Sequence, residues 1–283
     1  MKSSSIVRKT LRDHAGAGIS VAVTAALIGV LDLLIYPSYS KQLKDFQMPE
    51  AFKALIGEAT SIASPQGFLT AEYFSWIPLL VIVVAIIAGT SAIAGEEAAG
   101  TLEFLLAQPV TRLRLLLQKA GALSLLITLV ILVPYPLMVG MMAITDFELS
   151  PLRLFVTTVN IIPISLLFLY LALWCSAAMP TRAAAAITSG GVVVVTFFLS
   201  TIGALVDVLD QPRKISPFYW ADSSRILISG FDWLRAIAMM LVAGVFLALS
   251  AWSFQRREVS SGGKEISFGW LRRRRANALP PSA

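Results

Sequence analysis

The sequence is poor in the residue types that form disulfides, metal sites and catalytic centres. Its 283 residues include one cysteine, Cys175, and one histidine, His14. A single thiol forms neither an intrachain disulfide nor a paired-cysteine metal site. We interpret His14, which has no second ligand near it in sequence, as an interfacial residue. Cys175 lies inside an apolar run, which favours a small packing residue. The sequence therefore predicts no metal site.

Charged residues are scarce as well. Only 14% of the residues are charged and 57% are apolar, whereas a soluble domain typically carries about 25% charged residues. A chain this apolar would expose large apolar patches in water, so its composition favours the bilayer as solvent. We therefore expect an all-α fold, a polytopic membrane helix bundle.

Six apolar windows have about the 20 residues that a spanning helix needs. They are Ala15–Tyr36, Trp76–Ala94, Ala120–Ile144, Leu152–Ala178, Ala183–Val206 and Leu234–Phe254. The first window is longer than the apolar part of a typical signal peptide, so we interpret it as an uncleaved span. The sequence thus predicts six transmembrane helices within a domain covering residues 15–254.

The middle of every predicted span lacks charge, since Asp32, Glu72 and Asp207 lie at predicted outer ends. Ion-coupled carriers usually need carboxylates inside the membrane. The sequence has no H-E-x-x-H motif and no G-x-x-x-x-G-K-[ST] phosphate loop, because the Gly-Gly-Lys at 262–264 is too short. We therefore expect that this chain is not an enzyme. If it moves a cargo, the energy comes from another protein.

The positions of lysine and arginine predict that both termini are cytoplasmic. With the N-terminus inside, the inner segments hold 15 of the 23 Lys/Arg residues, while the acidic residues divide into 6 inside and 11 outside. An excess of Lys/Arg in cytoplasmic segments is the usual signal of orientation. The predicted inner segments are 1–14, 95–119, 179–182 and 255–283.

The N-terminal segment, residues 1–14, predicts an amphipathic helix lying in the headgroup plane. Its apolar residues, Ile6, Val7 and Leu11, have helical spacing. A flexible basic tail is the alternative. The cations expected at the membrane surface here are Arg8, Lys9 and Arg12.

The cytoplasmic tail, residues 255–283, contains a run of four arginines that follows Phe268, Trp270 and Leu271. Such a run attracts the anionic lipid of the inner leaflet. We expect membrane lipid rather than nucleic acid as its partner. The four residues are Arg272, Arg273, Arg274 and Arg275.

Two segments are predicted on the outer side. The first covers residues 37–75, with a short helix at Met48–Gly57 and a turn at 64–67. The second covers residues 207–233, which are too polar to span and are rich in proline, glycine and aromatic residues. We interpret it as a short outer-leaflet hairpin held by an aromatic belt. A plain outer loop is the alternative.

The connector between the second and third spans, residues 95–119, contains two predicted short helices. Gly100 is a natural break, and Thr101 can cap the helix that follows. Leu102, Leu105 and Leu106 have the spacing of one helix face, and Pro109 ends that helix. A short apolar helix on the cytoplasmic side fits a groove on a partner or rests on the headgroups.

The connector also resembles a known motif. The pattern Glu-Glu-x-x-Gly-Thr-Leu-Glu-x-Leu-Leu-x-x-Pro-Val-x-Arg, with a following lysine, resembles the signature of type-2 ABC-exporter permeases. In that family the segment contains the coupling helix, which docks on a separate ATPase subunit. The matching positions are Glu96, Glu97, Gly100, Thr101, Leu102, Glu103, Leu105, Leu106, Pro109, Arg112 and Lys119.

The resemblance implies the permease of an ATP-driven exporter in a prokaryotic plasma (inner) membrane. The implied complex has two ATPase subunits, which bind ATP and Mg, and a second permease copy or a paralogous permease. A central cavity lined by the first, second and fifth spans would suit a hydrophobic or amphipathic cargo. The alternatives are a self-contained secondary carrier or channel and a membrane scaffold or sensor.

The resemblance also implies a role for each part of the connector. The three leucines at 102, 105 and 106 would seat in a groove of the ATPase. The carboxylates of Glu96, Glu97 and Glu103 would pair with cations of the partner or with Arg112. Gly100 and Pro109 would fix the angle of the short helix.

Overall fold

The computed structural model describes residues 3–43, 64–102, 110–145 and 147–257. Every regular element in these ranges is helical. Six helical stretches in them are long and apolar enough to cross a membrane, as predicted. These spans, numbered in chain order, are Ile6–Ser40, Pro65–Ala98, Arg112–Thr145, Pro151–Ala178, Arg182–Ile202 and Trp233–Arg256.

The first span lies within one continuous helix, Ser3–Leu43. The separate helix that we expected over residues 1–14 is therefore wrong for the described residues, because no helix end occurs near residue 14. The isolated Gly16 and Gly18 each weaken a helix without ending it. Ile6 and Thr10 are buried against the bundle. The N-terminal turns thus continue the first span.

The second span is assembled from several short helical pieces. Ser64 caps the first piece, Pro65–Leu69, by accepting a hydrogen bond from Gly67 N at 3.1 Å. A helix therefore begins where we predicted a turn. A π-helix follows at Thr70–Phe74. The main helix, Ile77–Thr90, leads into a second π-helix, Ser91–Gly95, and a final turn, Glu96–Ala98.

The third span consists of two helices, Arg112–Leu132 and Pro134–Thr145. Pro134 lacks the N–H that would continue the ladder, so the helix breaks before it. The fourth span, Pro151–Ala178, is a single helix with Pro163 inside it. It contacts the second, third, fifth and sixth spans, so it is the centre of the bundle.

The fifth and sixth spans are the helices Arg182–Ile202 and Trp233–Arg256. The residues between them form short helices rather than a plain loop. These are Asp207–Leu209, Asp210–Arg213, Pro217–Trp220 and Ser223–Ser229.

This hairpin folds back into the bundle. Ser216 Oγ donates to the carbonyl of Thr196, inside the fifth span, at 2.7 Å. The Phe218 ring packs on Phe168 and Phe197, with centroids 5.6 and 5.4 Å away. The aromatic residues therefore anchor the hairpin to the fourth and fifth spans. The predicted helix Met48–Gly57 lies outside the described residues.

The second and fourth spans approach most closely at Gly89. A Cβ at this position would lie 2.8 Å from both Ala172 Cβ and the Leu169 carbonyl oxygen. Such contacts are shorter than real Cβ atoms accept, and backbone atoms cannot swing aside. Glycine is therefore what allows these two helices to pack.

We predict that Gly89→Ala lowers the free energy of unfolding by about 1–3 kcal/mol, the cost of overpacking a close-packed interior. Unfolding by a denaturing detergent in mixed micelles measures it. Gly121→Ala is the matched control, because a Cβ there meets nothing within 4 Å. Equal stability of the two variants would contradict the close approach.

Candidate functional site

The structure describes seven of the eleven connector residues that carry the resemblance. Glu103, Leu105, Leu106 and Pro109 lie outside the described residues, as does the arginine run at 272–275. Among them, Glu96 and Glu97 form a charged cluster with Lys9, Lys119 and Arg257. Their positions correct several predicted roles.

Glu96 lies between two lysines at the end of the second span. Its Oε1 accepts from Lys9 Nζ at 3.2 Å, and its Oε2 forms a short ion pair with Lys119 Nζ. The Lys119 ammonium also donates to the Ala92 carbonyl at 2.6 Å. This carboxylate therefore joins the first, second and third spans.

Lys119 is the most enclosed charge of this cluster, with a side chain only 3% exposed. Burying an ammonium is costly unless it is paired and hydrogen-bonded. Glu96 supplies the pairing, and the Ala92 carbonyl supplies a further acceptor. We expected Lys119 at the inner interface and Lys9 at the membrane surface. Both instead bind Glu96.

Glu97 pairs with Arg257, just past the end of the sixth span, at 2.5 Å. The same guanidinium donates at 2.9 Å to each of three carbonyls at the end of the fourth span, those of Ser176, Ala177 and Met179. The last carbonyls of a helix have no partner inside the helix. Arg257 satisfies them and links the second, fourth and sixth spans.

Arg112 does not pair with Glu96 or Glu97, so that part of the prediction is wrong. Its Nη1 donates to the Phe254 carbonyl at 3.3 Å and to the Arg257 carbonyl at 2.5 Å. A cation is favourable at the C-terminal end of a helix dipole. Arg112, at the start of the third span, therefore caps the end of the sixth.

Ser176 is a residue of this site that the sequence did not indicate. In the π-helix Ser91–Gly95, the Ile93 and Ala94 amides donate to Ser176 Oγ at 3.3 and 2.9 Å. The hydroxyl in turn donates to the Thr90 carbonyl at 2.8 Å. One serine thus supports the irregular backbone just before Glu96. A serine in an apolar span was the only available signal.

The chain turns at Gly100, as predicted, where the backbone has φ +68°. This left-handed conformation favours glycine. The predicted cap is wrong, because Thr101 is itself helical and its hydroxyl donates to the Glu96 carbonyl at 3.2 Å. Leu102 is only 1% exposed and belongs to this chain's own core. It therefore does not face a partner groove.

The remaining predicted residues have simple surroundings. Arg8 and Arg12 are exposed. His14 Nε2 lies 3.3 Å from Ser91 Oγ, and Cys175 is buried. No cluster of three His, Cys, Asp or Glu side chains suited to a metal ion occurs in the part of the chain that the structure describes.

The geometry defines a junction between the spans and the connector. Glu96 and Glu97 hold the end of the second span to three basic residues, Lys9, Lys119 and Arg257. Arg112 ties the start of the third span to the end of the sixth. A displacement of residues 96–102 would therefore act directly on five of the six spans.

A family model described as ABC-2 family transporter protein matches residues 5–259. The matched region contains all six spans and every residue of the junction. A search of curated proteins gives no match.

We predict unequal effects of removing the two buried charges. Glu96→Gln leaves the Lys119 ammonium buried without a counterion and should lower the free energy of unfolding by about 3 kcal/mol. Lys119→Met leaves Glu96 paired with Lys9 and should cost about 1 kcal/mol. Detergent-driven unfolding measures both values.

The double variant tests whether the two effects are coupled. Glu96→Gln with Lys119→Met removes both charges, so it should be more stable than Glu96→Gln alone. Additive losses, or a larger loss for Lys119→Met than for Glu96→Gln, would show that Lys119 does not depend on Glu96.

Proposed function

The chain belongs to the ABC-2 family of transporter proteins, and we propose that it is the permease subunit of an ATP-driven exporter. Its family makes it an ABC transporter permease, and its spans make it a multi-pass membrane protein. Permeases of this family generally work with an ABC ATPase. Export and coupling through residues 96–119 are the proposal.

The observation that supports coupling is the junction at the end of the second span. A connector that receives force from a partner must be attached firmly to the helices that it moves. Glu96 and Glu97 provide this attachment through ion pairs at 3.2 Å to Lys9 and 2.5 Å to Arg257, and through the buried pair with Lys119. Gly100 then redirects the chain towards residues 103–109.

The proposed partner surface is the part of the connector beyond Leu102. Since Leu102 is buried in this chain, Leu105 and Leu106 carry the predicted contact with the ATPase groove. The ATPase would bind and hydrolyse ATP with Mg. Closure of two ATPase subunits would draw two connectors together, and the spans attached to them would change between inward and outward states.

We further propose a hydrophobic or amphipathic cargo and a prokaryotic plasma membrane. The exposed side chains of the first and fifth spans are largely apolar, for example Ile19, Leu27, Ile187 and Val195. Such surfaces suit lipid, an apolar cargo, or a second permease, identical or paralogous. Two permeases with two ATPases would complete the transporter.

One observation favours a second candidate, a self-contained ion-coupled carrier. We expected Asp32 at the outer end of the first span, but its helix continues to Leu43, about 16 Å further. Asp32 Oδ2 is buried and has no hydrogen-bond partner. An unpaired carboxylate inside a span is a feature of ion pathways. Ion-driven uptake into vesicles containing this chain alone would support that candidate.

We predict that Leu105→Ala with Leu106→Ala weakens the association with the ATPase at least about a hundredfold, because each truncation removes roughly 1.5–3 kcal/mol of apolar burial. Co-purification of the ATPase and ATP-driven transport should fall together. Leu125→Ala with Leu129→Ala is the matched control, since both leucines lie on the third span and are 48% exposed.

The control variant should retain the ATPase and full transport. Normal co-purification and transport by the Leu105→Ala, Leu106→Ala variant would contradict coupling through this connector. The unfolding midpoint of each variant shows whether the bundle itself remains intact.

A further inference from the structure

The hairpin between the fifth and sixth spans gathers three arginines around one aromatic ring. The guanidinium carbons of Arg213, Arg225 and Arg235 lie 5.3, 5.5 and 5.3 Å from the centroid of Tyr219. Because all three are that close to one point, no two of them are more than about 11 Å apart. Like charges repel at such distances, so the cluster needs compensating negative charge.

The carboxylates of the hairpin compensate two of the three arginines. Asp232 pairs with Arg235 at 2.9 Å. Asp210 is shared, since it pairs with Arg213 at 2.9 Å and with Lys214 at 3.1 Å. The hydrogen bond from Lys214, together with the nearby Arg213, holds the pKa of the Asp210 carboxyl below its usual range. Asp210 is therefore ionised at neutral pH and already committed to two cations.

Arg225 differs from the other two arginines of the cluster. It makes no ion pair with any described residue, and its Nε is buried without a hydrogen-bond partner. A buried donor left unsatisfied is costly. From the fourth span, Arg153 adds another cation nearby, donating to the Leu227 carbonyl at 3.5 Å.

The hairpin backbone holds this cluster in place. Trp220 Nε1 donates to the Lys214 carbonyl at 2.6 Å, and Asn160 of the fourth span donates to the Ala221 carbonyl at 3.2 Å. Tyr219 lies between Lys214 and Ala221 in sequence, the two residues whose carbonyls accept these hydrogen bonds. The ring therefore has a defined position, and the arginine side chains converge on it from three separate hairpin and helix segments.

We propose that Arg213, Arg225 and Arg235, gathered around Tyr219, form a binding site for a phosphate-type oxyanion. A guanidinium presents a planar set of five N–H donors that matches phosphate oxygens, and contact with an aromatic face does not occupy them. Arg213 and Arg235 use some of these donors on Asp210 and Asp232 and keep others for a ligand. The hairpin and the Glu96 junction lie at opposite ends of the fifth span. The hairpin end is the predicted outer surface. The phosphate of an outer-leaflet lipid headgroup and free phosphate are the two sources of such a ligand.

The test is lipid binding to the full chain in detergent, followed by native mass spectrometry. The probes are a phosphatidylglycerol and an uncharged galactolipid with the same acyl chains. Arg225→Gln should weaken phosphatidylglycerol binding about tenfold, the loss expected for one charge-assisted hydrogen bond. Galactolipid binding should not change. Arg114→Gln, an exposed arginine at the opposite end of the bundle, is the matched control and should bind both lipids as the wild type does.

Inorganic phosphate distinguishes the two sources. If it displaces phosphatidylglycerol from the wild type but not from Arg225→Gln, the site also accepts the free anion. If phosphate does not displace phosphatidylglycerol from the wild type, and Arg225→Gln still binds this lipid more weakly, the lipid headgroup is the ligand. Both results support an oxyanion site.

Arg213→Gln is a second variant in case Arg225→Gln does not fold, because it leaves Asp210 paired with Lys214. Wild-type affinity for phosphatidylglycerol in every folded hairpin variant would overturn the proposal. So would an equal loss in Arg114→Gln, since the lipid would then respond to overall charge rather than to this cluster.

Discussion

The buried ammonium of Lys119 is the constraint on which the connector end of this bundle depends. A charge with a side chain 3% exposed must be paired, and the only carboxylate paired with it, among the described residues, is Glu96. The π-helix Ser91–Gly95 and the hydroxyl of Ser176 set the path of the second span just before Glu96. The position of the connector follows, since it begins at this glutamate.

The second half of the junction depends on helix ends. The C-terminal ends of the fourth and sixth spans both lie at this junction, and their carbonyls need donors. Arg257 and Arg112 supply them, so two arginines replace the water that would otherwise solvate these ends. Arg257 also neutralises Glu97. The connector is thus tied to the most enclosed helix of the bundle, which suits a segment proposed to transmit force from an ATPase.

The pattern of apolar residues predicted the six spans and their order, because burial in a bilayer acts on composition over about 20 residues. It also predicted the break at Gly100, which is a local property of the backbone. It did not predict that Leu102 is buried or that Arg112 caps another helix, because these depend on which helix ends are neighbours in space. For the same reason Glu96 and Glu97 were expected to bind a partner, although cations distant in sequence neutralise them. The continuous first helix was missed because a basic amphipathic segment and the end of a long helix have the same pattern.

The central claim is that Glu96 and Glu97 hold the start of the connector to the bundle. Pulsed electron–electron double resonance, which measures the distance between two spin labels, tests it most directly. The labels are attached to cysteines that replace the exposed Thr101 and Trp252 in a Cys175→Ala protein, and the labelled protein is diluted with unlabelled chains. Our account predicts one narrow distance distribution for the parent protein and a clearly broader one after Glu96→Gln and Glu97→Gln. Identical distributions before and after these substitutions would contradict it.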